Sequence, residues 1–210
     1  MFDLALYAAI IVTVFALVDP IGGLPFFVAL TEGYDAKDRQ VVLHRAILTL
    51  GAVLTTFALV GRFLFLAFGF TLAAFEVAGG ILLFLVAYDM LRGEVTRTKL
   101  SPDDRDDSSR RGEVGIVPLG IPLLAGPGAI STVMIYEGNA GSDPLIIVAT
   151  FVAIGVVTAL AYVIFRYGQR ILSRVGRVGV MAMTRVLGLM LAAVGVQFVA
   201  NGILGLFPHL

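Results

Sequence analysis

The chain has 210 residues, 59% of them hydrophobic and 14% charged, with zero net charge and no cysteine. Globular domains run at about 45–50% apolar and 25% charged, so a water-soluble fold is excluded: there is too little polar surface to cover one. Zero net charge argues against a nucleic-acid partner, and the lack of cysteine removes disulfides and thiolate metal sites.

The N-terminal stretch MFDLALYAAIIVTVFALV lacks a basic leading region and a small-residue cleavage site, so it reads as a retained transmembrane segment. A spanning helix needs roughly 20 apolar residues. Six segments qualify, at 4–30, 44–68, 72–91, 115–136, 144–167 and 183–207. The expected fold is therefore an all-α polytopic membrane protein.

The first span carries FALVDPIGGLPFF, with Asp19, Pro20, Gly22, Gly23 and Pro25 inside an apolar run. Proline in a helix interior costs about 3 kcal/mol, and a charge at mid-bilayer about 2.5 kcal/mol or more. Asp19-Pro20 has the pattern of an N-cap followed by proline at the first helical position. In the second and third spans, Arg62 and Glu76 flank the turn around Gly69 at similar depth, which predicts a structural ion pair. Asp89 and Arg92 are three apart on one face, enough for a local pair.

The linker 93–113 is mixed in charge and poor in apolar residues. It divides the chain into two halves, 1–92 and 114–210. The fourth span repeats the irregularity of the first: VPLGIPLLAGPGAIST holds Pro118, Pro122 and Pro127 with Gly120, Gly126 and Gly128. Gly126-Pro127 reads as a glycine ending one half-helix and a proline opening the next. In the last span, Gln197 and Asn201 are candidates to line a cavity or to bond to neighbouring helices. Gly188, Ala192, Gly195 and Gly202 form a small-residue stripe for close helix packing. His44 and His209 lie at segment ends, so no metal and no cofactor is expected.

Lys and Arg set the orientation. All fifteen except Arg62 fall on the side of the connections after the first, third and fifth spans, which should be cytoplasmic. Both termini then lie outside. VDPIG (18–22) aligns with AGPGA (125–129), placing Pro20 on Pro127. FEVAGGILLFLVAYDMLRG (75–93) aligns with TRVLGLMLAAVGVQFVANG (184–202), placing Gly79 on Gly188 and Gly93 on Gly202. Three spans per half is odd, so the halves would be inverted repeats, each opening with a broken helix. In transporters built this way, such helices point to the substrate site near the midplane.

Each break would present a helix N-terminus, which favours anions and carboxylates. Asp19 would meet an ammonium group or a proton. The candidate binding set is Asp19, Gly22, Gly23, Gly126, Gly128 and Ser131, with Ser131 equally able to bond to its own helix. The helix-breaking set is Pro20, Pro25, Pro118, Pro122 and Pro127. A site with an anion seat and an acid suits a small zwitterion.

DPIGGLPFFVALTEGYDAKDR, FEVAGGILLFLVAYDMLRG and PLGIPLLAGPGAISTVM resemble the MarC family of bacterial and archaeal inner-membrane proteins over nearly the whole chain. The resemblance implies that the two Pro/Gly motifs are family hallmarks. It also implies kinship with a branch described as transporters of glycine, alanine and similar amino acids, within a lysine-exporter-like superfamily. The family's link to antibiotic resistance carries little weight. The reading is a secondary transporter of small neutral amino acids, by export or exchange, with the proton as coupling ion, in the inner membrane. It is not an enzyme: no HExxH, GxSxG or cysteine nucleophile is present. A channel or ion permease, and a non-transporting scaffold, stay open as alternatives, and oligomerisation is compatible with each.

The absence of cysteine makes the orientation directly testable. A membrane-impermeant maleimide should label Thr71→Cys in intact cells, and Lys37→Cys only in inverted vesicles. The reverse pattern would overturn the orientation.

Overall fold

The computed structural model describes residues 4–93, 112–140, 143–172 and 176–207. Its elements are all helical: α1 (Leu4–Val18), α2 (Pro20–Leu30), α3 (Ala36–Phe68), α4 (Leu72–Arg92), α5 (Gly115–Leu124), α6 (Pro127–Ala140), α7 (Pro144–Leu172) and α8 (Gly176–Leu206). Counting α1 and α2 together, five stretches are long and apolar enough to cross a membrane. The pair α5–α6, bent by 62°, makes a sixth if it is one span. The linker expected at 93–113 lies outside the described residues except for Gly93, Gly112 and Glu113.

The helix ends follow local chemistry. Asp35 caps α3 by accepting from the Asp38 N–H at 2.7 Å, and Thr71 caps α4 by accepting from the Ala74 N–H at 3.1 Å. Gly69 (φ 71°) and Gly93 (φ 69°) end α3 and α4 in the left-handed conformation that glycine adopts without penalty. Two helices begin well before the apolar runs expected at 44–68 and 183–207. The first turns of α3 carry Lys37, Asp38 and Arg39, and α8 opens with Gly176 and Arg177. Hydropathy marks where hydrocarbon begins; the cap marks where the helix begins.

Antiparallel α4 and α8 form the most extensive helix pair. Their backbones meet at glycines. A Cβ on Gly80 would lie 2.6 Å from the Gly195 carbonyl oxygen, and one on Gly195 would lie 2.7 Å from the Gly80 carbonyl oxygen. Gly188 lies on Ala87 and Met90, and Gly202 on Ala73 and Val77. Lipid tails are as apolar as leucine, so helices associate in a bilayer through close packing of this kind. The stripe expected on the last span is thus accounted for. Gly93 and Gly202, aligned in sequence, do different jobs: one ends α4, the other packs inside α8.

The remaining helices pack around α3 and α7. α1 and α2 lie on α7, with Phe27 stacked on Phe165 at 5.2 Å, while α5 and α6 lie on α3. α5 and α6 follow α3 in the same direction: Gly115 sits on Val42, Gly120 on Thr49, and Met134 over Gly61. Val42 to Gly61 is about 28 Å of helix, close to the roughly 30 Å of bilayer hydrocarbon.

The ion pair expected between Arg62 and Glu76 is not formed. After the Gly69 turn the two helices part, because α4 follows α8 and α3 follows α5, α6 and α7. What joins α3 to α4 near the turn is aromatic: Phe75 meets Phe57 at 5.8 Å and Phe65 at 5.3 Å.

Gly195→Ala forces a methyl between two backbones that have no flexible atom to move. It should destabilise by about 1–3 kcal/mol, read as a lower circular-dichroism melting temperature in detergent. Gly155→Ala meets nothing within 4 Å and should be neutral or stabilising by up to about 1 kcal/mol. Equal melting of the two variants would remove the glycine contact as the basis of α4–α8 packing.

Candidate functional site

At the first break, Asp19 takes up φ 42° and ψ 61°, the single non-glycine at positive φ among the described residues. Short polar side chains tolerate this region better than others. Its carboxylate folds back on its own helix, with Oδ1 accepting from the Gly22 N–H at 3.0 Å. Gly22 makes this possible: a Cβ there would collide with the Asp19 carboxylate. The Gly23 N–H donates to the Asp19 carbonyl at 3.0 Å. The expected N-cap is therefore present. The helix N-terminus expected to seat an anion there has no free N–H at Gly22 or Gly23, because Asp19 occupies both. Pro20, at the first helical position, has no N–H, which leaves the Ala16 carbonyl without its usual helical donor.

The second break repeats this pattern with one difference. Pro127 opens α6, and the Gly126 carbonyl accepts from the Ile130 N–H at 3.0 Å, as the Asp19 carbonyl does from Gly23. Gly126 is thus the cap of α6 and not the left-handed end of α5, whose last cap residue is Ala125. Glycine is required here by proximity: a Cβ would lie 2.8 Å from the Pro122 carbonyl oxygen. With no side chain at the cap, the first-turn N–H groups of Gly128 and Ala129 have no acceptor inside α6. One break carries its own carboxylate, and the other offers bare donors.

The prolines divide by role. In α5, Val117 and Ile121 are extended ahead of Pro118 and Pro122, as residues before proline are pushed to be. Both X-Pro bonds are cis. Pro25 breaks nothing: α2 runs through it to Leu30.

Both breaks line one cavity of about 230 Å³. Asp19, Gly22, Gly23, Gly126 and Gly128, five of the six candidate binding residues, lie in its wall. Ser131 does not. It is buried, and its hydroxyl donates to the Pro127 carbonyl at 2.6 Å, with the Gly128 carbonyl 3.1 Å away. Gln197 and Asn201 bond to each other at 2.7 Å and also lie outside the cavity. Among the described residues, Asp19 is the one polar side chain in the wall. Drug-sized ligands need about 300–1,000 Å³, so this space suits a smaller solute.

The cavity is covered unevenly. Gly79 of α4 lies on the ring of Pro127, closing the second break. α4 also packs on α5, while α1 has no comparable contact with α8. Along that gap Asp19 is exposed, as are Met190 at 60% and Val194 at 45%. Sequence reasoning missed the far wall, which α4 and α8 supply through Leu83, Met90, Leu191 and Phe198. They lie within the aligned stretches 75–93 and 184–202, but nothing in either stretch singles them out. Their relevance comes from facing the breaks across the helix bundle.

The family model for MarC family integral membrane proteins matches residues 4–207. A UPF0056 membrane protein of Pyrococcus abyssi is 39% identical over 201 residues, covering 96% of each chain. The UPF0056 membrane protein YvbG of Bacillus subtilis is 34% identical, over 96% of this chain and 95% of its own. YhcE of Escherichia coli, another UPF0056 membrane protein, is 32% identical over 100% of this chain and 97% of its own. No solved structure matches.

The cap geometry predicts a stability order at position 19. Asp19→Asn keeps an acceptor for the Gly22 N–H and tolerates positive φ, so its melting temperature should stay near wild type. Asp19→Ala loses the cap, worth about 1 kcal/mol, and adds backbone strain of about 1–3 kcal/mol. It should melt clearly lower. Equal melting of the two variants would show that the cap contributes nothing.

Proposed function

The chain belongs to the MarC family of integral membrane proteins, and from that premise we propose that it is a secondary transporter of small neutral amino acids, working by export or exchange with proton coupling. The observation that carries the reading is the shared cavity. One wall holds a carboxylate at Asp19, and another holds the uncapped N-terminus of α6 at Gly128. A carboxylate attracts an ammonium group, and a helix N-terminus attracts a carboxylate. An α-amino acid carries both, on one carbon. The other side chains in the wall are apolar, which suits a solute with no polar side chain, such as glycine or alanine. The Ala16 carbonyl, freed by Pro20, is a second acceptor for the ammonium group.

The architecture we propose is six spans in two inverted repeats, with α1–α2 and α5–α6 as equivalent broken helices. The packing supports it. α1 and α2 lie on α7 as α5 and α6 lie on α3, while α3 meets α7 and α4 meets α8. α5 and α6 follow α3 in one direction over a bilayer's depth, which favours a single broken span over a re-entrant loop. The symmetry lapses where α4 packs on both halves of the second broken helix, α5 and α6, while α8 packs on α2 and has no comparable contact with α1. Alternating access then amounts to exchanging those two arrangements. The protein would sit in the cell's inner membrane with both termini outside and act as a transporter, not an enzyme, as a monomer or an oligomer.

The test is counterflow of alanine and glycine in proteoliposomes, with and without a pH gradient. Wild-type protein should give saturable counterflow, and Asp19→Asn, folded by its melting curve, should lose at least tenfold. Full activity in folded Asp19→Asn would remove Asp19 from the site. Non-saturable flux would favour a channel, and no flux at all would favour a scaffold.

A further inference from the structure

The N-terminal turn of α6, where the solute's carboxylate is placed by the reading above, has an aromatic ring lying across it. α8 turns Leu187, Leu191, Val194 and Phe198 toward the cavity, at spacings of a single helical face. Phe198 reaches across to α6. A Cβ on Gly128 would lie 2.5 Å from its Cζ, so the ring tip rests on the backbone of α6. Among the described residues, Phe198 is also the one aromatic side chain in the cavity wall.

The root of this side chain sits at the α4–α8 contact. A Cβ on Gly80 would lie 3.0 Å from the Phe198 Cβ, and Gly195, just before it on α8, meets the Gly80 backbone. α4 stands behind the Phe198 Cβ, and α6 lies in front of the ring tip.

We infer that Phe198 is the residue that limits the size of the transported amino acid's side chain, an inference that rests on the transport reading above. With the ammonium group toward Asp19 and the carboxylate on the Gly128 turn, the substituent on the same carbon is held against the Phe198 ring. Hydrogen or methyl is then accepted, and a branched chain of four carbons is refused. An apolar pocket discriminates by about 10–200-fold per methylene, so shortening this side chain should change selectivity much more than rate.

The experiment measures counterflow of glycine, alanine, valine and leucine in proteoliposomes for wild type, Phe198→Ala and Phe198→Leu, with melting curves for each. Wild type should prefer alanine over leucine at least tenfold. Phe198→Ala should cut that preference at least tenfold by raising leucine flux, with Phe198→Leu intermediate. If Phe198→Ala does not fold, Phe198→Leu alone decides, through its leucine-to-alanine ratio. Alanine flux in folded variants with an unchanged ratio overturns the role of Phe198 and leaves the transport reading standing. No flux of any amino acid in folded wild type overturns the transport reading, and this inference with it.

Discussion

Backbone-to-backbone contact between α4 and α8, with Gly80 against Gly195 and Gly202 against Ala73 and Val77, is the interaction on which the rest of the structure depends. In water a helix pair is driven together by burying apolar surface. In a bilayer that drive is absent, and what remains is close packing. Glycine allows it by removing the atom that would hold the backbones apart. The α4–α8 pair then supplies the far wall of the cavity and anchors Phe198. Through Gly79, it also bears on the first proline of α6.

The second constraint is that backbone polar groups in hydrocarbon need partners. Irregular backbone survives there when it is buried in protein or lines a cavity. The two breaks meet this requirement differently. Asp19 spends its carboxylate on its own helix at Gly22, and Gly126 has nothing to spend. The Ser131 hydroxyl, a candidate ligand group by sequence, is taken up within its own turn. The polarity left over at the cavity is one carboxylate and one helix end, in the wall of a small apolar space.

Glycine serves three separate purposes in this chain. At Gly69 and Gly93 it ends helices in the left-handed conformation. At Gly80, Gly195 and Gly202 it admits a neighbouring backbone. At Gly22 and Gly126 it makes room for a local polar group, the Asp19 carboxylate in one case and the Pro122 carbonyl in the other. Composition alone does not separate these roles, which is why Gly93 and Gly202 align in sequence yet differ in the fold.

By itself the sequence determined that this is an all-helical integral membrane protein of the MarC family, where its apolar stretches lie, and that Asp19-Pro20 caps a helix. Each of these depends on composition, on period or on neighbours within four residues. The tertiary structure decided that the two breaks share a cavity, which takes contacts between residues about a hundred positions apart. It decided that Arg62 and Glu76 stay separate, because depth in the membrane follows from sequence but the choice of neighbouring helix does not. It also decided which helix faces the breaks: α8 is apolar around most of its circumference, and only its glycine contacts with α4 fix the face that turns Phe198 toward Gly128.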